Sequence, residues 1–491
     1  MKDMNKRNSF FHCLMLLVIV CSGCSTVSQP TDPSQSWTPS KWAEKKLAKD
    51  EVWRSLRAKG DVFTGGDRLD IAALLDIAFT NNPSTRQAWE SARAAHARIK
   101  QAESRWYPQV SVSAQTAFNK KVTNNSVGDA NQADYTALGQ AQLLLLDLGG
   151  RAARVSSAKQ ALLEANFSFN QAIQDVFLDT TKAYYGLYSA EASVVAAEAN
   201  LADSTASLDA ARQRAKAGLV SRLDVLQAES TYEDSLYSLE EARGLSKTAR
   251  ATLTQALGVP PDTEFEIDEP SGDILVDVTE EDVTVLIDRA LKERPSVIAA
   301  KASLESKKED LAAANSDLWP TLSTGGSIGA GEHKFFGSEK NPSVFNSKWD
   351  HSYNAFLTVE WDVFDGFYLY SKRNEAKALL GLEREKLRQV ELAASAEVWT
   401  KYFDLKTAEK KYSFSKAFLE TSKTSYELAY DSYTSGLKSM LDVLQAQSQL
   451  SEARSRMISS RESLFVSRAE LAHAIGALTV TGNDKEGRDD K

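Results

Sequence analysis

The chain contains one architecture written twice. Leu75-Asp76-Ile77-Ala78-Phe79-Thr80-Asn81-Asn82-Pro83 returns as Ile287-Asp288-Arg289-Ala290-Leu291-Lys292-Glu293-Arg294-Pro295, an offset of 212 residues. Trp106-Tyr107-Pro108 returns as Leu318-Trp319-Pro320 at the same offset. Gly218-Leu219 followed by Leu223-Asp224-Val225-Leu226-Gln227-Ala228 matches Gly436-Leu437 followed by Leu441-Asp442-Val443-Leu444-Gln445-Ala446, now at an offset of 218. The second half therefore carries six extra residues, inserted between Pro320 and Asp365. Units of about 200 residues are far longer than solenoid repeats. The pattern is that of a duplicated domain.

Proline tells what each half is made of. All 11 prolines fall outside 109–259 and 343–491. Proline breaks helix interiors, so long proline-free, Ala-rich runs indicate very long helices. Each half reads in the same order. A helix over roughly 70–106 or 281–318 comes first, then a segment opened by Pro108 or Pro320 where the period changes to two. Val110, Val112 and Ala114 alternate with Gln109, Ser111, Ser113 and Gln115. Tyr353, Ala355, Leu357, Val359, Trp361 and Val363 alternate with polar residues, and Phe356 alone breaks the rule. With 135–146 and 321–330, this gives four strands, at about 109–118, 135–146, 321–330 and 353–364. A run of about ten residues suits a tilted transmembrane strand. After Asp147-Leu148-Gly149-Gly150 and Asp365-Gly366 the period is helical again for about 65 residues, or roughly 100 Å. The chain then reverses at Gly218 and Gly436, which suit a left-handed helix cap, before Ser221 and Ser439, which suit helix starts.

The amino terminus has its own logic. Lys2, Lys6 and Arg7 precede a mostly apolar stretch from Phe10 to Val20, the layout of an export signal and too short to span a bilayer stably. Val20-Cys21-Ser22-Gly23-Cys24 resembles a bacterial lipobox. The reading is cleavage after residue 23 and acylation of Cys24, which leaves one cysteine in the mature chain. Ser25, where sorting rules watch for Asp, directs the protein to the outer membrane. The expected organisation is a signal over 1–23, a lipidated extension over 24–64, repeats over 65–258 and 281–478, a Pro- and acid-rich linker over 259–280, and a disordered tail over 479–491.

Other functions fall away. Lys plus Arg number 58 against 67 for Asp plus Glu, so the net charge of −9 speaks against a nucleic-acid partner. The five histidines, at 12, 96, 333, 351 and 473, lack metal-ligand spacing. Gly325 to Gly331 is Gly-rich, but no Gly-Lys-Ser/Thr follows it, so it reads as a strand rather than a phosphate loop. There is no Ser/His/Asp or Cys/His set. The sequence reads as a conduit without cofactor or metal, not an enzyme.

Four membrane-length strands cannot close a barrel, and an open edge in lipid strands its backbone groups without partners. Pooling strands solves this: two chains give eight and three give twelve. The helices likewise exceed what one chain can cover.

The order of two strand pairs and two long hairpins, with Leu-Asp-Val-Leu-Gln-Ala after each turn, resembles the TolC family of outer-membrane efflux proteins, in its lipoprotein branch. The resemblance spans about 65–478. It implies a homotrimer, mainly α, with a twelve-strand barrel in outer-membrane lipid and a twelve-helix tunnel reaching into the periplasm. It implies two partners, a periplasmic adaptor and an inner-membrane pump, in efflux or type I secretion. By position, Asp442 and Gln445 match two aspartates that ring the tunnel constriction in that family. Tyr433 and Lys438 match a Tyr and an Arg that hold the tip closed. Gly218, Leu219, Gly436 and Leu437 match the tips that adaptors contact. The competing reading is a structural coiled-coil lipoprotein of the outer membrane. Lipid-facing strands argue against a rod.

Overall fold

The structure is a computed structural model that describes residues 68–121, 130–263, 265–269, 282–336 and 350–478. The export signal, Cys24, the extension, residues 270–281 of the linker and the tail lie outside them.

The first repeat opens with a short strand, β1 (Arg68–Leu69), and two helices, α1 (Ile71–Asn81) and α2 (Pro83–Glu103). Strands β2 (Gln109–Lys121) and β3 (Ala130–Leu146) follow, then the long hairpin of α3 (Gly150–Lys216) and α4 (Arg222–Leu257). After β4 (Glu266–Ile267), the second repeat runs α5 (Val283–Glu293), α6 (Pro295–Ser316), β5 (Thr321–Phe336), β6 (Asp350–Glu360), α7 (Tyr368–Thr434) and α8 (Met440–Ile475). The duplication is kept to the residue in the hairpins: α3 and α7 each have 67 residues, α4 and α8 each 36.

Two sequence expectations need correction. The helices read as continuous over 70–106 and 281–318 are each broken. Asn82 (ψ 126°) and Arg294 (ψ 124°) are extended because each precedes a proline, and Pro83 and Pro295 then open new helices at their first position. The fourth strand stops at Glu360, although alternation continues through Val363. Glu360 pairs with Thr321, and the residue before Thr321 is Pro320, which has no N–H to extend the ladder. The other strands run longer than the alternating cores suggested, from 130 rather than 135 in β3 and to 336 rather than 330 in β5.

Strands β2, β3, β5 and β6 form one antiparallel sheet in that order, with both outer edges unpaired among the described residues. Its register separates two faces. One carries the rows Val110–Ala141–Gly326–Ala355 and Val112–Gly139–Ile328–Tyr353. The other carries Gln109–Gln142–Gly325–Phe356, Ser111–Gln140–Ser327–Asn354 and Ser113–Leu138–Gly329–Ser352. Val110, Val112, Phe118, Ile328, Tyr353, Leu357 and Val359 are all exposed, and all sit on the first face.

At the sheet's helical end, Arg151 ties barrel strand to helix. Its guanidinium donates to the carbonyls of Leu144 (2.6 Å) and Leu145 (2.8 Å) and lies 4.1 Å over the Trp106 ring. In the second repeat Asp365 caps the matching helix by accepting from the N–H groups of Tyr368 and Leu369.

Helix α3 is the hub, packing on α2, α4, α6 and α8. The largest core, around Phe79, Phe169, Tyr184 and Leu257, lies where α1 and α3 meet the end of α4, and Phe265 from the linker is buried in it. The linker also holds β4, which pairs in parallel with β1. The seam between α3 and α8 joins the two repeats and is strongly polar. Asp175 meets His473 at 2.7 Å, Lys182 meets Glu470 at 2.6 Å and Asn200 donates to Ser451 at 2.9 Å. On α7, by contrast, Leu392, Trp399, Phe403, Phe414 and Leu428 stay exposed at spacings of roughly whole turns. Among the described residues, no helix is long and apolar enough to cross a membrane.

Candidate functional site

The residues singled out from the sequence gather at the two hairpin tips, at the far end of the long helices from the sheet. Each tip is built twice from the same parts. Helix α3 ends with Gly218 at φ +71°, and α7 with Gly436 at φ +84°, a region where only glycine is free of Cβ strain. The N–H groups of Gly218 and Leu219 return to the carbonyls of Ala215 and Arg214, at 3.0 and 2.9 Å. Those of Gly436 and Leu437 return to Tyr433 and Ser432, at 2.9 and 2.8 Å. This pair of bonds satisfies carbonyls that a helix end would otherwise leave bare. The next helix starts at once, with Ser221 and Asp224, and Ser439 and Asp442, each exchanging bonds in a reciprocal cap.

The turns push apolar groups outward. Leu219, Leu223, Leu437 and Leu441 are all well exposed, Leu437 at 81%. Leu219 and Leu437 thus lie at the hairpin turns with nothing among the described residues covering them.

Asp442 and Gln445 lie on the outward side of α8's first turns, away from the buried Val443 and Ala446. The Asp442 carboxylate accepts from the Ser439 N–H at 3.0 Å and hydroxyl at 2.7 Å, with Lys438 Nζ at 3.9 Å. The Ser439 hydroxyl, then its backbone N–H, and then Lys438 hold this carboxyl below its ordinary value, so it is charged at neutral pH. Lys438, in the turn, thus faces Asp442 of the helix that follows it.

Tyr433 is placed differently. Its ring is 1% exposed, packed with Leu208, Ala211, Met440 and Val443. Burial pushes its hydroxyl up from the ordinary range, and that oxygen has no hydrogen-bond partner among the described residues. The group that grips it was not among the sequence candidates. Arg214, at the end of α3, lays its guanidinium 4.8 Å above the Tyr433 ring. The same guanidinium donates to the Tyr433 carbonyl and to that of Thr434 at 3.2 Å. A cation on the last carbonyls of α7 complements the negative end of that helix. One arginine of the first hairpin thus clasps the tip of the second. The sequence did hold a signal. At the offset of 218, Arg214 corresponds to Ser432, so only the first hairpin carries an arginine at this position.

No grouping of three or more His, Cys, Asp or Glu side chains suited to a metal occurs among the described residues. What the tips offer is a pair of turns with exposed apolar side chains, joined by Arg214.

A family model described as outer membrane efflux protein matches residues 74–259 and 286–477, one match for each repeat. The chain is 28% identical to protein CyaE of Bordetella pertussis over 72% of its length and 73% of that protein. It is 27% identical to the outer membrane efflux protein BepC of Brucella suis over 44% of its length and 47% of that protein. Among solved structures, it superposes on CusC, described for its transmembrane channel formation, with a TM-score of 0.73 at 18% identity. That match covers 93% of this chain and 100% of the other.

Proposed function

From the premise that this chain belongs to the outer membrane efflux protein family, we propose that three copies form a passive export channel. Members of this family are outer-membrane channels that form trimers and work with adaptors and inner-membrane pumps. The single observation that carries the reading here is the open four-stranded sheet. Its apolar face is exposed, and its edges β2 and β6 are unpaired among the described residues. In lipid each edge needs another strand, and three copies supply a closed ring of twelve. A structural rod has no use for such a sheet.

The channel receives its substrates at the tips, where a pump and a periplasmic adaptor deliver them. Gly218, Leu219, Gly436 and Leu437 present the adaptor with six similar turns in a trimer. Arg214 and Tyr433 hold each protomer's tips together. Asp442 places three carboxylates near the narrow end, and Gln445 limits their number there, so cation block is weaker than two acidic rings would give. Cys24 carries the lipid anchor. Palmitate label that persists in Cys24→Ala would overturn that last assignment.

The test of the channel is reconstitution. Purified protein should run as a heat-modifiable trimer and open discrete ion-conducting pores in a planar bilayer. Protein that inserts nowhere and stays monomeric would sink the reading and favour the rod.

A further inference from the structure

The inner wall of the sheet carries an aromatic ring, that of Phe356, with a purpose that membrane insertion does not explain. This step rests on the channel reading, because it needs the polar face to be the lumen. The assignment of faces follows from exposure: seven large apolar side chains stand exposed on one face, while Leu138, Leu144 and Phe356 on the other are half-buried. A barrel in lipid turns the first face outward. The inward wall is then Gln109, Ser111, Ser113, Gln115, Gln140, Gln142, Ser323, Ser327, Asn354 and their neighbours, with Asp134, Asp350 and Glu360 supplying negative charge.

Among the residues of that wall whose side chains are described, Phe356 is the one aromatic, and Phe335 shares the face by register. It is also the residue that breaks the alternation of its strand. It is not an accident of one repeat. At the offset of 218, Phe356 corresponds to Leu138, and both lie on the inward face. Each is seated on a glycine of β5. A Cβ on Gly325 would fall 2.6 Å from Phe356 Cζ, and one on Gly329 would fall 3.2 Å from Leu138 Cδ1. The Gly-rich run of β5 therefore leaves room for two inward apolar side chains to lie across the wall. The Phe356 ring is half-buried against Gly325, so an edge is packed while part of the ring still meets the lumen.

We propose that Phe356 is a specificity-determining residue of the pore, an aromatic contact for planar organic cations passing through an otherwise polar, acid-bearing barrel. A ring face attracts cations through its quadrupole and stacks on flat apolar groups. Carboxylates on the same wall raise the local concentration of cations around it. Small hydrated ions gain nothing from the ring. A flat organic cation lingers on it.

The test uses the full-length trimer in planar bilayers, with benzyltrimethylammonium as probe and tetramethylammonium as its non-aromatic control. In the wild type, benzyltrimethylammonium should produce stronger current block than tetramethylammonium. Phe356→Ser should weaken the benzyltrimethylammonium block by about two- to fivefold, the equivalent of losing one exposed cation–π contact. Its effect on tetramethylammonium should be small. Phe356→Trp should preserve or strengthen the block, which keeps the test decisive if the serine variant assembles poorly. Equal block in wild type and Phe356→Ser would overturn the proposal. So would full block retained in Phe356→Leu, because bulk rather than aromaticity would then suffice. A wild-type protein that conducts no ions at all would instead remove the channel reading on which the proposal stands.

Discussion

Arg214 decides more at the tip than any residue the sequence pointed to. It combines a cation–π contact to Tyr433 with bonds to two helix-end carbonyls, and the site it serves lies 219 residues further along the chain. Arg214→Leu removes all of these at once and leaves Tyr433 in place. The expected result is a larger or more frequently open conductance in bilayers, with trimers still formed. Arg214→Lys should recover only part of the closure, since an ammonium cannot stack and fork as a guanidinium does. Unchanged gating in Arg214→Leu would mean that the clasp is incidental. Asp442 gives a second residue-level test. Its carboxyl lies below the ordinary 3.8 in the folded chain, so its contribution is fully present above that value and is lost as pH falls through the lower folded value. Heat dissociation of Asp442→Asn trimers should therefore fall short of wild type equally at pH 7 and pH 5, and the gap should close only below about pH 4. A gap that closes between pH 7 and pH 5 would contradict this cap. Gly218, Gly436 and Asp442 were legible because turns and caps are local in sequence. The Arg214 clasp was not, because nothing local marks which carbonyls an arginine will reach.

Among the elements, the breaks before Pro83 and Pro295 make sense only with the helices that meet them. Gly258 closes α4 at φ +73°, and a Cβ there would fall 2.7 Å from the Asn81 carbonyl oxygen. Gly476 closes α8 at φ +83°, and a Cβ there would fall 2.8 Å from Arg294 Cα. Each repeat thus seats the end of its returning helix directly on the broken helix of its own first segment. Backbone, not a flexible side chain, blocks any substituent. Gly218 has the same left-handed backbone but nothing within 4 Å. Gly218→Ala should therefore cost about 1 kcal/mol of backbone strain alone. Gly258→Ala and Gly476→Ala should cost clearly more, read as lower heat-dissociation midpoints. Equal midpoints for the three variants would show that the contact yields. The lengths of the long helices were readable from the absence of proline and the position of glycine. The helix breaks were signalled by the same prolines, yet periodicity ran straight through them. The meeting of glycine and break joins residues about 180 apart, and no local pattern records that.

For the molecule as a whole, what one chain leaves bare is as informative as what it buries. Trp399 and Phe403 pack at a tilt, with a centroid distance of 5.1 Å, on a face of α7 that no other described element covers, with Phe414 exposed further along it. A face of that kind on a 67-residue helix fits a neighbouring copy. Phe403→Glu and Phe414→Glu should each reduce the yield of heat-modifiable trimer severalfold while leaving the helical content of the chain unchanged. Full trimer yield in both would place the subunit contact elsewhere. The existence of two repeats, their strands and their hairpins could be read from the sequence because periodicity and duplication are properties of a single chain. The residues that join chains carry no such signature, since an apolar stripe looks the same whether its cover comes from inside or outside the chain.

The open edges of the four-stranded sheet also impose a schedule. A lone copy that entered lipid would carry two unpaired strand edges into a solvent that cannot hydrate them. The barrel can therefore form only when three sheets arrive together, and the long helices, which meet water rather than lipid, are the parts free to find one another first. Assembly in the aqueous compartment is then the clock for membrane entry. Appearance of pores in liposomes should rise more steeply than in proportion to protein concentration, and cross-linked helical trimers should precede them in time. Pores that accumulate linearly with concentration would mean that single chains enter the bilayer before meeting their partners.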